Sequence, residues 1–178
     1  TIATLTNNGS ITVGDGGNGI YNLGNIGSLT NNGSITAGAG FPTAGIFNGG
    51  HIDILINNNS ISSGVYGVRN IGGSIGTLIN NGSITAQAGI LNSGSIDNLI
   101  NGNLISAGVF GTGISNLDLV TNLANNGSIT VSTGGAGIVN RGEITNLTNS
   151  MNITAGDNGV GIDNRLTILN LTNNRYIT

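Results

Sequence analysis

The chain has 178 residues, room for one ordinary domain, yet only 6% of them are charged against roughly 25% in a typical globular domain. Its formal net charge is −3, with four Arg and no Lys, too little positive charge to neutralise a phosphate backbone, so nucleic acid is excluded as a partner. The absence of Cys excludes a disulfide framework and thiolate metal sites, and no stretch reads as a signal peptide or an 18-residue apolar span.

The 33 Gly and single Pro would suit a disordered or collagenous chain. Both fail, because Ile, Leu and Val recur at fixed intervals and Gly has no three-residue period. The first coil opens Ile2-x-x-Leu5-x-Asn7, and the pattern restarts at Ile26, Ile52, Ile75, Ile96, Val120, Ile144 and Ile168. The intervals are 24, 26, 23, 21, 24, 24 and 24 residues. One Asn closes each first segment: Asn7, Asn31, Asn57, Asn80, Asn101, Asn125, Asn149 and Asn173. A second segment follows as an Ile-Thr or Ile-Ser pair, from Ile11-Thr12 and Ile35-Thr36 to Ile177-Thr178. A third reads aliphatic-x-Asn, ending at Asn22, Asn48, Asn70, Asn92, Asn116, Asn140 and Asn164.

Three short apolar segments per coil, separated by Asn and Gly, predict three strands and three corners. One such coil cannot bury its own aliphatic face, whereas stacked coils bury a continuous core. The expected fold is all-β: a right-handed parallel β-helix of about eight coils of 21–26 residues, forming one unit over residues 1–178. Both Asn columns are expected to be structural ladders, through side-chain amides bonded from coil to coil and tolerance of left-handed corners. Gly9, Gly33, Gly82 and Gly127 are expected where the corner needs a positive φ. Length varies almost only between the second and third segments, from five residues (Thr85 to Ile90) to ten (Thr36 to Ile46). Recognition should vary along that edge.

Chemistry is sparse in this pattern. Gly14–Gly19 matches G-x-G-x-x-G but lacks the helix that would aim N–H groups at a pyrophosphate, and the nine-residue period of a calcium repeat is absent. No metal or other cofactor is expected. A polysaccharide lyase or hydrolase needs clustered acids, and the best pair, Asp53 and Asp97, stands two coils apart with Gly76 between. Arg141 and Arg165 share a column flanked by Glu143 and Asp163, which reads as a surface ion cluster. His51 reads as a solvated corner residue, with no catalytic constellation around it. A Ser/Thr column running from Ser10 and Thr12 would suit an ice-binding face, but Leu104, Asn152 and Tyr176 break it. Asn-Gly-Ser sequons at Asn8, Asn32, Asn81 and Asn126 coincide with the corner motif. The candidate binding face is the outward column of the third segment, carrying Tyr21, Phe47, Leu91 and Val139, with Phe41, Tyr66 and Phe110 on nearby loops.

The copies of Leu29-Thr30-Asn31-Asn32-Gly33-Ser34-Ile35-Thr36, alternating with copies of Gly19-Ile20-Tyr21-Asn22, resemble the passenger domains of bacterial autotransporter adhesins over essentially the whole chain. The resemblance implies a right-handed β-helix exported and displayed extracellularly at the bacterial cell surface, as a piece of a longer passenger. The regular core with irregular outward loops makes a non-enzymatic structural and adhesive segment the leading expectation. Its partner would be a host cell-surface protein or glycan, or another copy of itself. Membrane contact would come only through a C-terminal β-barrel absent from this sequence. A carbohydrate-active β-helix fragment is the alternative.

Overall fold

A computed structural model describes all residues, 1–178. The chain contains no helix, and every strand pairing is parallel, so successive coils stack as a β-solenoid. The first turn comprises β1 (Ile2–Asn7), β2 (Ser10–Val13) and β3 (Asn18–Asn22). Each of these pairs with its equivalent one coil on: Leu5 with Leu29, Ile11 with Ile35 and Ile20 with Ile46. In the middle of the stack the strands run through the corners, as Tyr66–Asn80, Ser83–Asn101 and Leu104–Asn116.

The coil count is smaller than the sequence suggests. Eight first-segment rungs are present, from Ile2–Asn7 to Thr167–Asn173, but the third segment recurs only seven times, to Val160–Asn164. The last Ile-Thr pair contributes one bridge, Ile177 to Ile153. The solenoid therefore has seven complete turns and an unfinished eighth.

Four aliphatic columns point inside, two from the first segment and one from each of the other two. Twenty-four buried residues form one core, running from Ile20 to Ile153 in columns of like residues. Each such Ile or Leu contributes roughly 1.5–3 kcal/mol by leaving water, and stacking supplies the contact that an isolated coil lacks. A second set of columns is polar and, away from the ends of the stack, equally buried. Asn7 Nδ2 donates to Asn31 Oδ1, and the same bond recurs at 2.8–2.9 Å through Asn57, Asn80, Asn101, Asn125 and Asn149 to Asn173. The other ladder runs at 2.7–2.9 Å from Asn22 to Asn164. The amides also donate to corner carbonyls, as Asn80 does to Leu104 O at 3.0 Å. Buried amides are tolerated only when satisfied in this way.

Two expectations about the corners are corrected. None of the ladder Asn residues has a positive φ; the non-Gly residues that do are Phe110 (54°) and Asn158 (57°). The network, rather than the backbone, explains the Asn columns. Nor do Gly9, Gly33, Gly82 and Gly127 have a positive φ. A Cβ at Gly33 would fall onto the Gly9 carbonyl of the rung before it, one at Gly82 onto that of Asn59, and one at Gly127 onto that of Asn103. Gly9 lies on the first rung of residues 1–178, where a Cβ meets nothing within 4 Å. Close approach of stacked backbones selects glycine at this corner. The positive-φ glycines lie elsewhere, at Gly16, Gly72 and Gly134.

Candidate functional site

The outward column of the third segment is in register as Tyr21, Phe47, Arg69, Leu91, Ser115, Val139 and Asp163. Parallel pairing stacks these side chains along the solenoid axis. The Tyr21 and Phe47 rings lie 4.8 Å apart and 12° from parallel. The Arg69 guanidinium follows, 5.3 Å from the Phe47 centroid and 5.1 Å from that of Tyr66. Phe41, on the longest insertion, meets Tyr66 edge-on at 6.1 Å. Four aromatic residues and one cation thus gather where the coil length varies most, with Tyr21 and Phe41 59% and 73% exposed.

Arg69 has no carboxylate partner, because the chain's ion pairs are His51–Asp53 and Arg165–Asp163. Its Nε is shielded from solvent and makes no hydrogen bond. A guanidinium bracketed by two rings gains cation–π stabilisation while keeping its planar fork available for an acceptor.

Other candidate residues lie apart from this group. Leu91 is next in the column after Arg69 and half-buried. Val139 lies outside the core cluster but is only 9% exposed, which corrects its expected place on an open face. Phe110 is 76% exposed but belongs to another turn, its ring lying over Gly134. It stands at the left-handed position of a loop in which neighbouring coils carry Gly134 and Asn158.

The C-terminal charges pair less fully than the column suggests. Arg165 Nε donates to Asp163 Oδ2 at 2.9 Å, with Nη2 2.8 Å from the same oxygen, whereas Arg141 makes no ion pair. The hydrogen bond from Arg165 holds the Asp163 carboxyl below the usual carboxylate range; burial opposes this, and the charges of Arg165 and Arg141 add to it. The acids do not converge elsewhere, and no group of three or more His, Asp or Glu side chains is placed to hold a metal ion.

His51 is not the solitary corner residue that the sequence suggests. It shares a column with Ser74 and Ser95 on the next two rungs, and Asp53 lies two residues along its own strand on the same face. The register brings His51 Nδ1 to 2.6 Å from Ser74 Oγ, and its Nε2 to 2.6 Å from Asp53 Oδ1. A carboxylate only accepts, so Nε2 carries the proton toward Asp53. In the neutral ring Nδ1 is then the acceptor for the Ser74 hydroxyl. Beside this chain runs a shallow trough of about 460 Å³, floored by Gly49, Gly50, Gly72, Gly73 and Gly94 and lined also by Asn25, His51, Ser74, Ser95 and Asp118. Close backbone stacking explains three of these glycines, since a Cβ at Gly50 would meet the Gly24 carbonyl, one at Gly73 that of Gly50 and one at Gly94 that of Gly73, whereas Gly72 has a positive φ.

Two surface columns escaped the sequence reading. Asn98, Asn122, Asn146 and Asn170 form an exposed ladder at 2.8–3.0 Å, legible afterwards as the Asn preceding the inward Leu in four successive coils. Ile56, Ile79 and Ile100 stand side by side outside the core, where the strand alternation expects polar residues. The sequon residues Asn8, Asn32 and Asn81 are exposed in a further amide ladder that includes Asn58, and Asn126 is exposed as well. No family model, curated protein or solved structure matches the chain.

Proposed function

We propose that this chain is a structural and adhesive segment of a surface-displayed passenger, binding a host cell-surface protein or glycan, or another copy of itself, through its variable edge. The observation that carries the reading is the group of Tyr21, Phe41, Phe47 and Tyr66 around an Arg69 with no ion-pair partner. Exposed aromatics and arginine dominate recognition surfaces elsewhere, aromatics because a large contact area comes with few rotatable bonds and arginine because its planar fork is pre-organised for acceptors. The residues behind them are a repeating core with no freedom to vary, so partner choice falls to the edge. Export and extracellular display belong to the same reading, on the resemblance of the repeats to autotransporter passengers.

The test is adhesion and aggregation by bacterial cells displaying the chain, against cells displaying Phe41→Ala, Arg69→Gln double-substituted chain. The reading expects adherence above the empty display scaffold and at least about a tenfold loss in the variant, since hot-spot truncations cost about 2 kcal/mol or more. Adherence equal to the empty scaffold would sink it.

A further inference from the structure

From the hydrogen-bonded chain Ser74–His51–Asp53 at the edge of the glycine trough, we propose a serine esterase centre that removes short acyl groups, acetyl above all, from a neutral saccharide. This activity is separate from the adhesive reading and does not depend on it. Three features carry it. The nucleophile and base are in contact at 2.6 Å, and the base and its orienting carboxylate at 2.6 Å, the two links a nucleophilic hydroxyl needs. The backbone around them is fixed, since Ser74 N donates to Gly50 O at 2.9 Å and the Ser74 carbonyl accepts from Asn48 Nδ2 at 3.2 Å. Space for a substrate exists alongside, because glycine occupies the adjoining corner of every rung from Gly24 to Gly94.

The chemistry balances with water as the only co-reactant. Ser74 Oγ attacks the ester carbonyl carbon, and its proton passes to His51 Nδ1. The Asp53 carboxylate stabilises the resulting imidazolium through Nε2–H. The Ser95 hydroxyl, one rung on and free of other side-chain hydrogen bonds, is the donor available to the tetrahedral oxyanion. The carbon–oxygen bond to the sugar then breaks, and His51 Nδ1–H protonates the departing alkoxide. Water, deprotonated by His51, attacks the acyl-serine, releasing acetate and restoring Ser74. Ser74 and His51 are the catalytic residues and Asp53 is a positioning residue.

The lining selects the substrate. No hydrophobic side chain lines the trough, so it offers nothing to a long acyl chain. Asp53 and Asp118 beside it disfavour an anionic alcohol, which leaves a hydroxyl-rich neutral one.

The test uses the 178-residue chain with 4-nitrophenyl acetate, 4-nitrophenyl octanoate and a peracetylated disaccharide, together with a fluorophosphonate label located by peptide mass spectrometry. The proposal expects Ser74 to be labelled in preference to every other serine, and acetate esters to be cleaved in preference to octanoate. Ser74→Ala and His51→Ala should each lose about 100-fold or more in kcat, the scale of positioned acid–base catalysis. Asp53→Asn should lower kcat with KM unchanged, and Asp53→Glu should recover part of the loss. Ser62→Ala, on another face, should act as wild type. Labelling of the native chain is independent of whether any variant folds. Absence of label on Ser74, or a wild-type rate no greater than that of Ser74→Ala, would overturn the assignment.

Discussion

An asparagine in the wall of this solenoid has more partners than most core residues. Asn80 accepts from Asn57 and donates to Asn101 Oδ1 at 2.9 Å and Leu104 O at 3.0 Å, with its side chain fully buried. Asn80→Ala therefore strands donors and acceptors on both neighbouring rungs, at a cost of about 2–3 kcal/mol. Asn122→Ala, in the exposed ladder, should change stability by less than about 0.5 kcal/mol, because water replaces the lost bonds. Urea midpoints of the two variants measure the contrast. Phe110 makes the opposite case. A bulky residue at φ 54° is strained by about 1 kcal/mol, and Phe110→Gly should raise the midpoint accordingly. Asp163 supplies a pH signature. Its folded-state pKa is lowered chiefly by the Arg165 hydrogen bond, so its stabilising contribution is present above the unfolded-state pKa. That contribution disappears as pH falls through the lowered value. Carboxylate titration by NMR should find Asp163 below the ordinary carboxylate range, and Arg165→Ala should move it back up.

At the scale of the coil, glycine is where stacking and sequence meet. Gly82 lies against the Asn59 carbonyl of the preceding rung, whereas Gly9 occupies the same corner with open space beside it. Gly82→Ala must push two rungs apart and should cost about 1–3 kcal/mol, as overpacking does elsewhere. Gly9→Ala should be close to neutral. Thermal melts of the two variants separate steric selection from a positive-φ requirement, which would penalise both alike. The sequence spacing located this corner correctly, but the reason for glycine there was legible only once the rungs were stacked. Similarly, the third-segment glycine before each inward aliphatic is required by packing: a Cβ at Gly67 would meet Ile84 Cγ2 and the Gly89 carbonyl.

At the scale of the molecule, the fold was legible because translation by one coil repeats the same local decisions. An Ile every 21–26 residues, an Asn five positions later and Gly at the corner all specify one register. The count of turns was less legible, since the final Ile177-Thr178 pair matches the repeat yet contributes only a bridge. The aromatic group was half legible. Alternation placed Tyr21 and Phe47 together, but only the loop geometry brought Phe41 and Tyr66 to Arg69 while leaving Phe110 on another turn. The contact between His51 and Ser74 needed two periodicities at once, the coil repeat that stacks them and the two-residue repeat that adds Asp53. A lone His in a sequence gives no signal of either. The aromatic group depends on the register of the first three coils, and the His51–Ser74 contact on the pairing of the third coil with the fourth.

That register can be measured directly, because the chain has no cysteine of its own. Ser62 and Thr85 are partners on those two coils, exposed and 23 residues apart in sequence. At the roughly 4.8 Å spacing of adjacent strands, the Ser62→Cys, Thr85→Cys pair falls inside the range a disulfide spans. The Thr36→Cys, Thr85→Cys pair, two rungs apart at about 9.6 Å, falls outside it. Mild oxidation of the folded chain should close the first pair as an intramolecular disulfide and leave the second as free thiols. Equal cross-linking of both pairs, or of neither, would contradict the stacked register and the sites built on it.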